Sequence, residues 1–216
     1  NHHPLCQSIR YLDCLRRYKG YKFSYEEFAS LVGLNSETKY QISSEQLFKT
    51  IKEYLTLQGE RLILLKYYFY SMVIAHEDMH TKNLSVLTEG ETLYMSPLYD
   101  IATTAIYQGS RETALLINGK NKNIRPQDFY VLVDLLEVKH FDEEVSQILV
   151  KYTHKLPEYF NKIEKLPDIV FYKRSRTHSP GRKPRLIKSI SFAERLRRKH
   201  QERMRQLDKA GWYKFI

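Results

Sequence analysis

Residues 76–83 read HEDMHTKN and are followed at once by LSVL (84–87). They stand after the greasy segment LILLKYYFYSMVIA (62–75) and before a strand-like one, so Asp78, His80, Lys82 and Asn83 gather at a helix-to-strand junction. Taken singly, Asp and Asn at such a junction cap and turn the chain through local hydrogen bonds. The apolar run in front is about fourteen residues with Lys66 inside it, short of the roughly twenty needed to span a bilayer, and reads as a buried core helix. No membrane span is expected.

Upstream, Ser24-x-x-Glu27 has the spacing of a capping box and predicts a short helix over about 25–32, stopped at Gly33. LNSETKYQISS is then a loop. Ser43 or Ser44 caps a second helix to about Leu57, with Phe48, Ile51, Tyr54 and Leu55 on one face and Gln58-Gly59 as the break. Downstream, NLSVL and TLYMS flank Thr88-Glu89-Gly90-Glu91, the pattern of a β-hairpin whose second strand runs into PLYD and leaves Asp100 at a strand exit. ALLINGK gives a short strand and turn. Pro126 suits the first position of a helix running to about Glu137, and further helices are expected over about 142–154 and 156–171.

The chain has 216 residues, 42% of them hydrophobic, which is enough for one packed domain plus an appendage and excludes disorder throughout. Cys6 and Cys14 fit neither a disulfide framework nor a zinc pattern, and the start carries no leader pattern, so a cytoplasmic protein, read as part of a longer one, is expected. The net charge of +10 is uneven: from Lys173 onward there are fifteen Lys and Arg against three acids, leaving the remainder slightly acidic. The sequence therefore divides into a short segment 1–23, a lobe 24–171 and a basic tail 172–216. That tail reads as a flexible hinge and a marginal basic helix. Its aromatics Phe192, Trp212, Tyr213 and Phe215 leave two readings open, a solvated extension or a nucleic-acid contact.

Phosphoryl transfer needs few protein groups: a carboxylate to orient or deprotonate the attacking hydroxyl, an amide oxygen and a second carboxylate for magnesium, and a cation near the phosphates. Asp78, Asn83, Asp100 and Lys82 are these types in kinase order, with the hairpin between Asn83 and Asp100 folding its end back toward the loop. Their joint pattern outweighs the capping role each would have alone.

IAHEDMHTKNLSVL, LYMSPLYDI and ALLINGK together resemble the C-terminal lobe of the HipA-type serine/threonine kinases of bacterial toxin–antitoxin systems, over about residues 25–136. The resemblance implies an α+β, mainly α-helical, protein-kinase-like lobe with the short hairpin at the catalytic loop. It implies that Asp78 is the catalytic aspartate and that Asn83 and Asp100 bind the metal, with ATP and Mg2+ as cofactors. A protein hydroxyl is then the acceptor, with aminoacyl-tRNA synthetases as the family's type of target and an antitoxin or a separate N-terminal lobe as partner.

Two departures accompany the resemblance. His76-Glu77 stands where the family usually has a small residue and Asn or Gly. Residues 1–77 hold no Gly-rich phosphate loop and no strand with a V-A-I-K-like lysine, so autonomous turnover is expected to be severely reduced. A pseudokinase remnant serving as a binding module is the alternative. Lys82 is read as an auxiliary cation or a solvated loop lysine. His80 is read as an orienter of the loop, a structural hydrogen-bonder, or a metal ligand with His76. Glu77 would raise the pKa of Asp78 by like-charge repulsion if their carboxylates faced one another.

Overall fold

A computed structural model describes residues 24–107, 111–165, 170–174 and 186–216. The segment 1–23, with both cysteines, and most of the expected hinge lie outside them. The elements are strand β1 (Ser24–Glu27), helices α1 (Phe28–Leu31), α2 (Ser44–Tyr54) and α3 (Gln58–Val73), and strands β2 (Ser85–Glu89) and β3 (Thr92–Met95). After these come α4 (Pro126–Leu136), α5 (Phe141–Val150), α6 (Leu156–Ile163), strands β4 (Val170–Arg174) and β5 (Leu186–Ser191), α7 (Phe192–Lys209) and a 3-10 turn at Trp212–Phe215. The fold is mixed, mainly helical, with two small antiparallel sheets, one of β1, β2 and β3 and one of β4 and β5.

The central helix is α3, which buries Leu64, Leu65, Tyr68, Phe69, Met72 and Val73. Its Lys66 stays at the edge, paired with Glu144 at 2.8 Å. Phe69 meets Phe129 of α4 edge to face at 5.3 Å and Trp212 at 4.9 Å, and Phe129 stacks on Phe141 at 6.0 Å. These separations lie in the favourable range for aromatic pairs, and the rings tie α3, α4, α5 and the C-terminal turn into one core. In front of it, α2 is capped by Ser43, whose Oγ accepts from the Gln46 N–H while the Gln46 side chain accepts from the Ser43 N–H.

The first sheet runs β1-β2-β3, and the β2–β3 hairpin turns through Gly90, at φ +61°, and Glu91, with Glu89 opposite Thr92. Ser24 and Glu27 do not cap a helix. They lie in β1, opposite Thr88 and Ser85 of β2, and the helix shrinks to the single turn α1. Pairing to a β2 edge overrides the local capping pattern there, because it satisfies a whole row of backbone groups rather than two. Helix α1 then docks by backbone, Phe28 N–H to the Leu84 carbonyl at 2.9 Å and Ala29 N–H to the Thr81 carbonyl at 3.1 Å.

Three further expectations are corrected. Gln58-Gly59 does not lie between helices; the break falls at 55–57, and Gln58 opens α3. Helices α5 and α6 are not separated, since a π-helical turn over Lys151–Lys155 joins them. Pro157 cannot donate to the Thr153 carbonyl, and a widened turn accommodates that missing bond. ALLINGK forms no strand, only an isolated bridge between Ile117 and Lys120 around Asn118 and Gly119, both at positive φ.

The largest correction concerns the tail. Residues 192–216 are not a solvated extension: α7 buries Ala193, His200, Arg203 and Leu207, and Trp212 is fully buried. The apolar residues Phe192, Leu196, Met204 and Leu207 are too sparse to mark this helix as packed, because a histidine and an arginine occupy buried positions between them.

Candidate functional site

HEDMHTKN leaves the C-terminus of α3 through Ala75, whose φ of +52° is the left-handed conformation normally given to glycine. His76 N–H returns to the Ser71 carbonyl at 2.9 Å, and Glu77 N–H donates to Thr104 Oγ1 at 2.8 Å. The loop closes on itself through Asn83 N–H to the His80 carbonyl, at 2.9 Å, and is held from outside by Thr81 Oγ1 donating to the Lys39 carbonyl.

Asn83 is buried, and its two amide atoms are both used. Oδ1 accepts from the His80 N–H at 3.2 Å, and Nδ2 donates to Asp100 Oδ2 at 2.6 Å. Asp100 is exposed and stands at φ +52°, a left-handed position that Asp tolerates. Two links bring this carboxylate back to Asn83. Ser96 N–H continues the hairpin to the Ser85 carbonyl, and Tyr99 Oη donates to the Lys82 carbonyl at 2.6 Å.

Asp78 is half-buried and accepts a short hydrogen bond from Tyr40 Oη. Burial, and then the bond to Asp78, pushes the Tyr40 phenol up to about 12. Glu77 and Asp78 face apart: the Glu77 carboxylate looks to Arg111, 3.9 Å from its Nε, whereas Asp78 looks to Tyr40. Lys82 turns to Ser36 Oγ at 3.2 Å and Glu27 at 3.7 Å.

The cation beside the loop is Lys39, with Nζ 2.7 Å from His80 Nε2 and 5.0 Å from the centre of the Tyr40 ring. The Lys39 ammonium faces Nε2 and the Lys82 N–H faces Nδ1 at 3.2 Å, so donors stand at both ring nitrogens and disfavour the charged imidazolium. Burial, followed by the Lys39 charge, holds the His80 pKa below its ordinary value. His80 thus braces the loop through its ring and its backbone N–H. The His76 ring is buried with both nitrogens unpartnered, and burial lowers its pKa. Among the described residues, no cluster of three or more His, Cys, Asp or Glu could hold a metal ion, so the His76–His80 metal reading finds no further ligand.

Three contributors escaped the sequence reading. Lys39 and Tyr40 lie in what reads only as a polar loop. Arg203 lies in a run of cations, and its one available signal was its place on the buried face between Leu196 and Leu207. Its Nη2 and Nε donate to the Met72 and Val73 carbonyls at 2.7 and 3.0 Å, satisfying the end of α3 just before the loop. Its Nη1 pairs with Glu112 at 2.7 Å, and the other Glu112 oxygen accepts from the Ile124 N–H.

The HipA-like C-terminal domain family matches residues 8–160. The chain belongs to that family. The HipA-like domain is 30% identical over 108 residues to a Sinorhizobium fredii (strain NBRC 101917 / NGR234) protein named putative kinase Y4mE, a stretch that covers 48% of this chain and 26% of that protein. Its fold is that of a chain in the Shewanella oneidensis MR-1 toxin–antitoxin complex of HipA, HipB and operator DNA. The TM-score is 0.60 at 12% identity, over 88% of this chain and 44% of the other. The HipA-like domain thus spans about a quarter of the curated relative and under half of the solved chain.

Proposed function

We propose that this HipA-like domain carries the acceptor and metal side of an ATP-dependent protein serine/threonine kinase site, with Asp78 as base and Asn83 and Asp100 as magnesium ligands. The observation that carries the reading is the Asn83–Asp100 pair, two residues seventeen apart whose polar atoms meet at 2.6 Å beside a buried loop. One carboxylate and one amide suit magnesium, which takes few protein ligands and completes its shell with water and substrate phosphates. The amide as placed turns Nδ2 to Asp100. A half-turn about its terminal torsion would set Oδ1 beside the Asp100 carboxylate, an arrangement a cation favours, at the loss of the bond that Oδ1 accepts from the His80 N–H.

When bound, magnesium would neutralise the charge of the phosphates and fix their orientation. The domain's own residues do the rest. Asp78 accepts the hydrogen bond of the attacking hydroxyl and takes its proton as the bond to the γ-phosphorus forms and the bond from that phosphorus to the departing ADP oxygen breaks, acting through the oxygen not held by Tyr40 or after Tyr40 moves aside. The His80 ring braces the loop against Lys39, and its backbone N–H holds Asn83 in the metal-free arrangement. Arg203 fixes the end of α3 from which the loop departs.

The phosphate cradle would come from a partner lobe, the target would be a protein of the aminoacyl-tRNA synthetase type, and the setting would be the cytoplasm. An antitoxin partner is supported by the HipB companion of the Shewanella HipA fold. Among described residues no helix is long and apolar enough to cross a membrane. A nucleic-acid contact through α7 has less support, because Arg197, Arg198 and Lys199 each pair with an acid and Arg203 is buried. A second reading, a non-catalytic binding module, is favoured by the Tyr40 hydroxyl capping Asp78.

Calorimetric titration with Mg2+–ATP of the native chain and of Asp100→Ala separates the two readings. Binding lost with Asp100 supports the kinase site. Equal binding by both proteins, or none by either, leaves the binding module.

A further inference from the structure

Behind the HEDMHTKN loop, and not lined by Asp78, Asn83 or Asp100, lies a cavity of about 380 Å³ between α3, α6, α7 and the segment after Asp100. That volume is in the range of small-molecule sites. Its walls include Tyr70, Tyr152, Phe160 and Leu196. Two buried polar side chains on its lining have unpartnered atoms: Glu77 Oε1 and both ring nitrogens of His200. Buried polar groups are nearly always satisfied, and a buried carboxylate oxygen without a donor is costly.

Two of the other lining cations are held in ion pairs, and Lys122 is exposed. Arg203 pairs with Glu112 at 2.7 Å and Lys199 with Glu202 at 2.9 Å. Arg111, 3.9 Å from the other Glu77 oxygen, disfavours a second full cation there. The cavity therefore asks for a flat apolar body to lie against the aromatic walls and an uncharged N–H to donate to Glu77 Oε1. His200 sits edge-on to Tyr152 at 4.6 Å and Phe160 at 5.5 Å, and burial lowers its pKa, so its neutral ring adds one donor and one acceptor.

We propose that this cavity is a binding site for a small uncharged aromatic molecule bearing an N–H donor, anchored by Glu77 and enclosed by α7. It is separate from the proposed phosphoryl-transfer site and stands or falls independently of it.

The test uses indole as the probe and benzothiophene, the same shape without the N–H, as the control, titrated by ligand-observed NMR into the full chain. Indole should bind at least about tenfold more tightly than benzothiophene, since the hydrogen bond to a charged acceptor is lost in the control. Glu77→Met should erase that difference, and Leu196→Trp, which fills the cavity, should abolish binding of both. Glu77→Met should also melt higher than the native chain without ligand, which shows that the variant folds. Equal affinity for the two probes, no binding of either, or indole binding unchanged in both variants would overturn the proposal.

Discussion

The Asn83 amide donates to the Asp100 carboxylate across 2.6 Å, so the two residues expected to share a metal lie within direct reach of one another. Asn83 is buried and Asp100 exposed, so the pair joins the packed loop to the surface. Asn83→Leu removes the acceptor for the His80 N–H and the donor to Asp100 together. It should cost about 1–3 kcal/mol in urea unfolding, through the buried N–H left without a partner. Asp100→Ala, losing a bond at the exposed end, should cost less than about 1 kcal/mol. The reverse order would mean that the loop is held from the Asp100 side.

Arg203→Met should be among the most damaging single changes in α7. It strips two carbonyls at the end of α3 of their donor and leaves Glu112 buried without its cation, a loss of about 3–5 kcal/mol. Arg198→Ala, at an exposed i,i+4 pair, should change stability by less than about 0.5 kcal/mol. Trp212 is the chain's one tryptophan and is fully buried, so its fluorescence reports core unfolding in both variants. Similar midpoints for the two would mean that α7 only rests on the domain.

Stability should fall in mild acid. His76, His80 and His200 all have folded pKa values lowered first by burial, so the unfolded chain takes up protons that the folded chain resists. Loss therefore begins as pH drops through the unfolded value near 6.5, at up to about 1.4 kcal/mol per pH unit for each histidine. Unfolding midpoints in urea at pH 7.5 and 5.5 measure this, and His200→Phe should reduce the difference. An unchanged difference would place the acid sensitivity elsewhere.

At the alkaline end, the Tyr40 phenol is pushed up to about 12 against an ordinary value of 10. A raised folded value gives stability that is present below pH 10 and lost as pH rises toward 12. Tyr40→Phe lacks that titration, and its melting temperature should decline less steeply than the native one across the window. Parallel declines would mean that the hydroxyl does not hold Asp78 in solution.

How much of this was legible follows from the range of each interaction. The hairpin, the Ser43 cap and Pro126 at the start of α4 depend on neighbours within a few residues, and each lies where the pattern places it. The convergence of Asn83 and Asp100 was legible because the connecting hairpin returns the chain to the loop. Ser24 and Glu27 misled because a strand sixty residues away offered better pairing. Tyr40 on Asp78 and Arg203 on α3 join positions 38 and 130 or more residues apart, and no local pattern encodes such contacts. The basic tail misled by composition, since charge density describes the exposed faces of α7 and says nothing of the face that carries His200, Arg203 and Leu207.

The most direct test of the central claim is where a divalent ion sits. Mn2+, which takes the same oxygen ligands as Mg2+, broadens amide signals near it in a ¹H–¹⁵N spectrum recorded with ATP. The account expects broadening centred on the Asn83 side-chain amide and the Asp100 backbone, and its loss in Asp100→Ala. Broadening centred elsewhere, or persisting at Asn83 in that variant, would contradict a metal site at this pair.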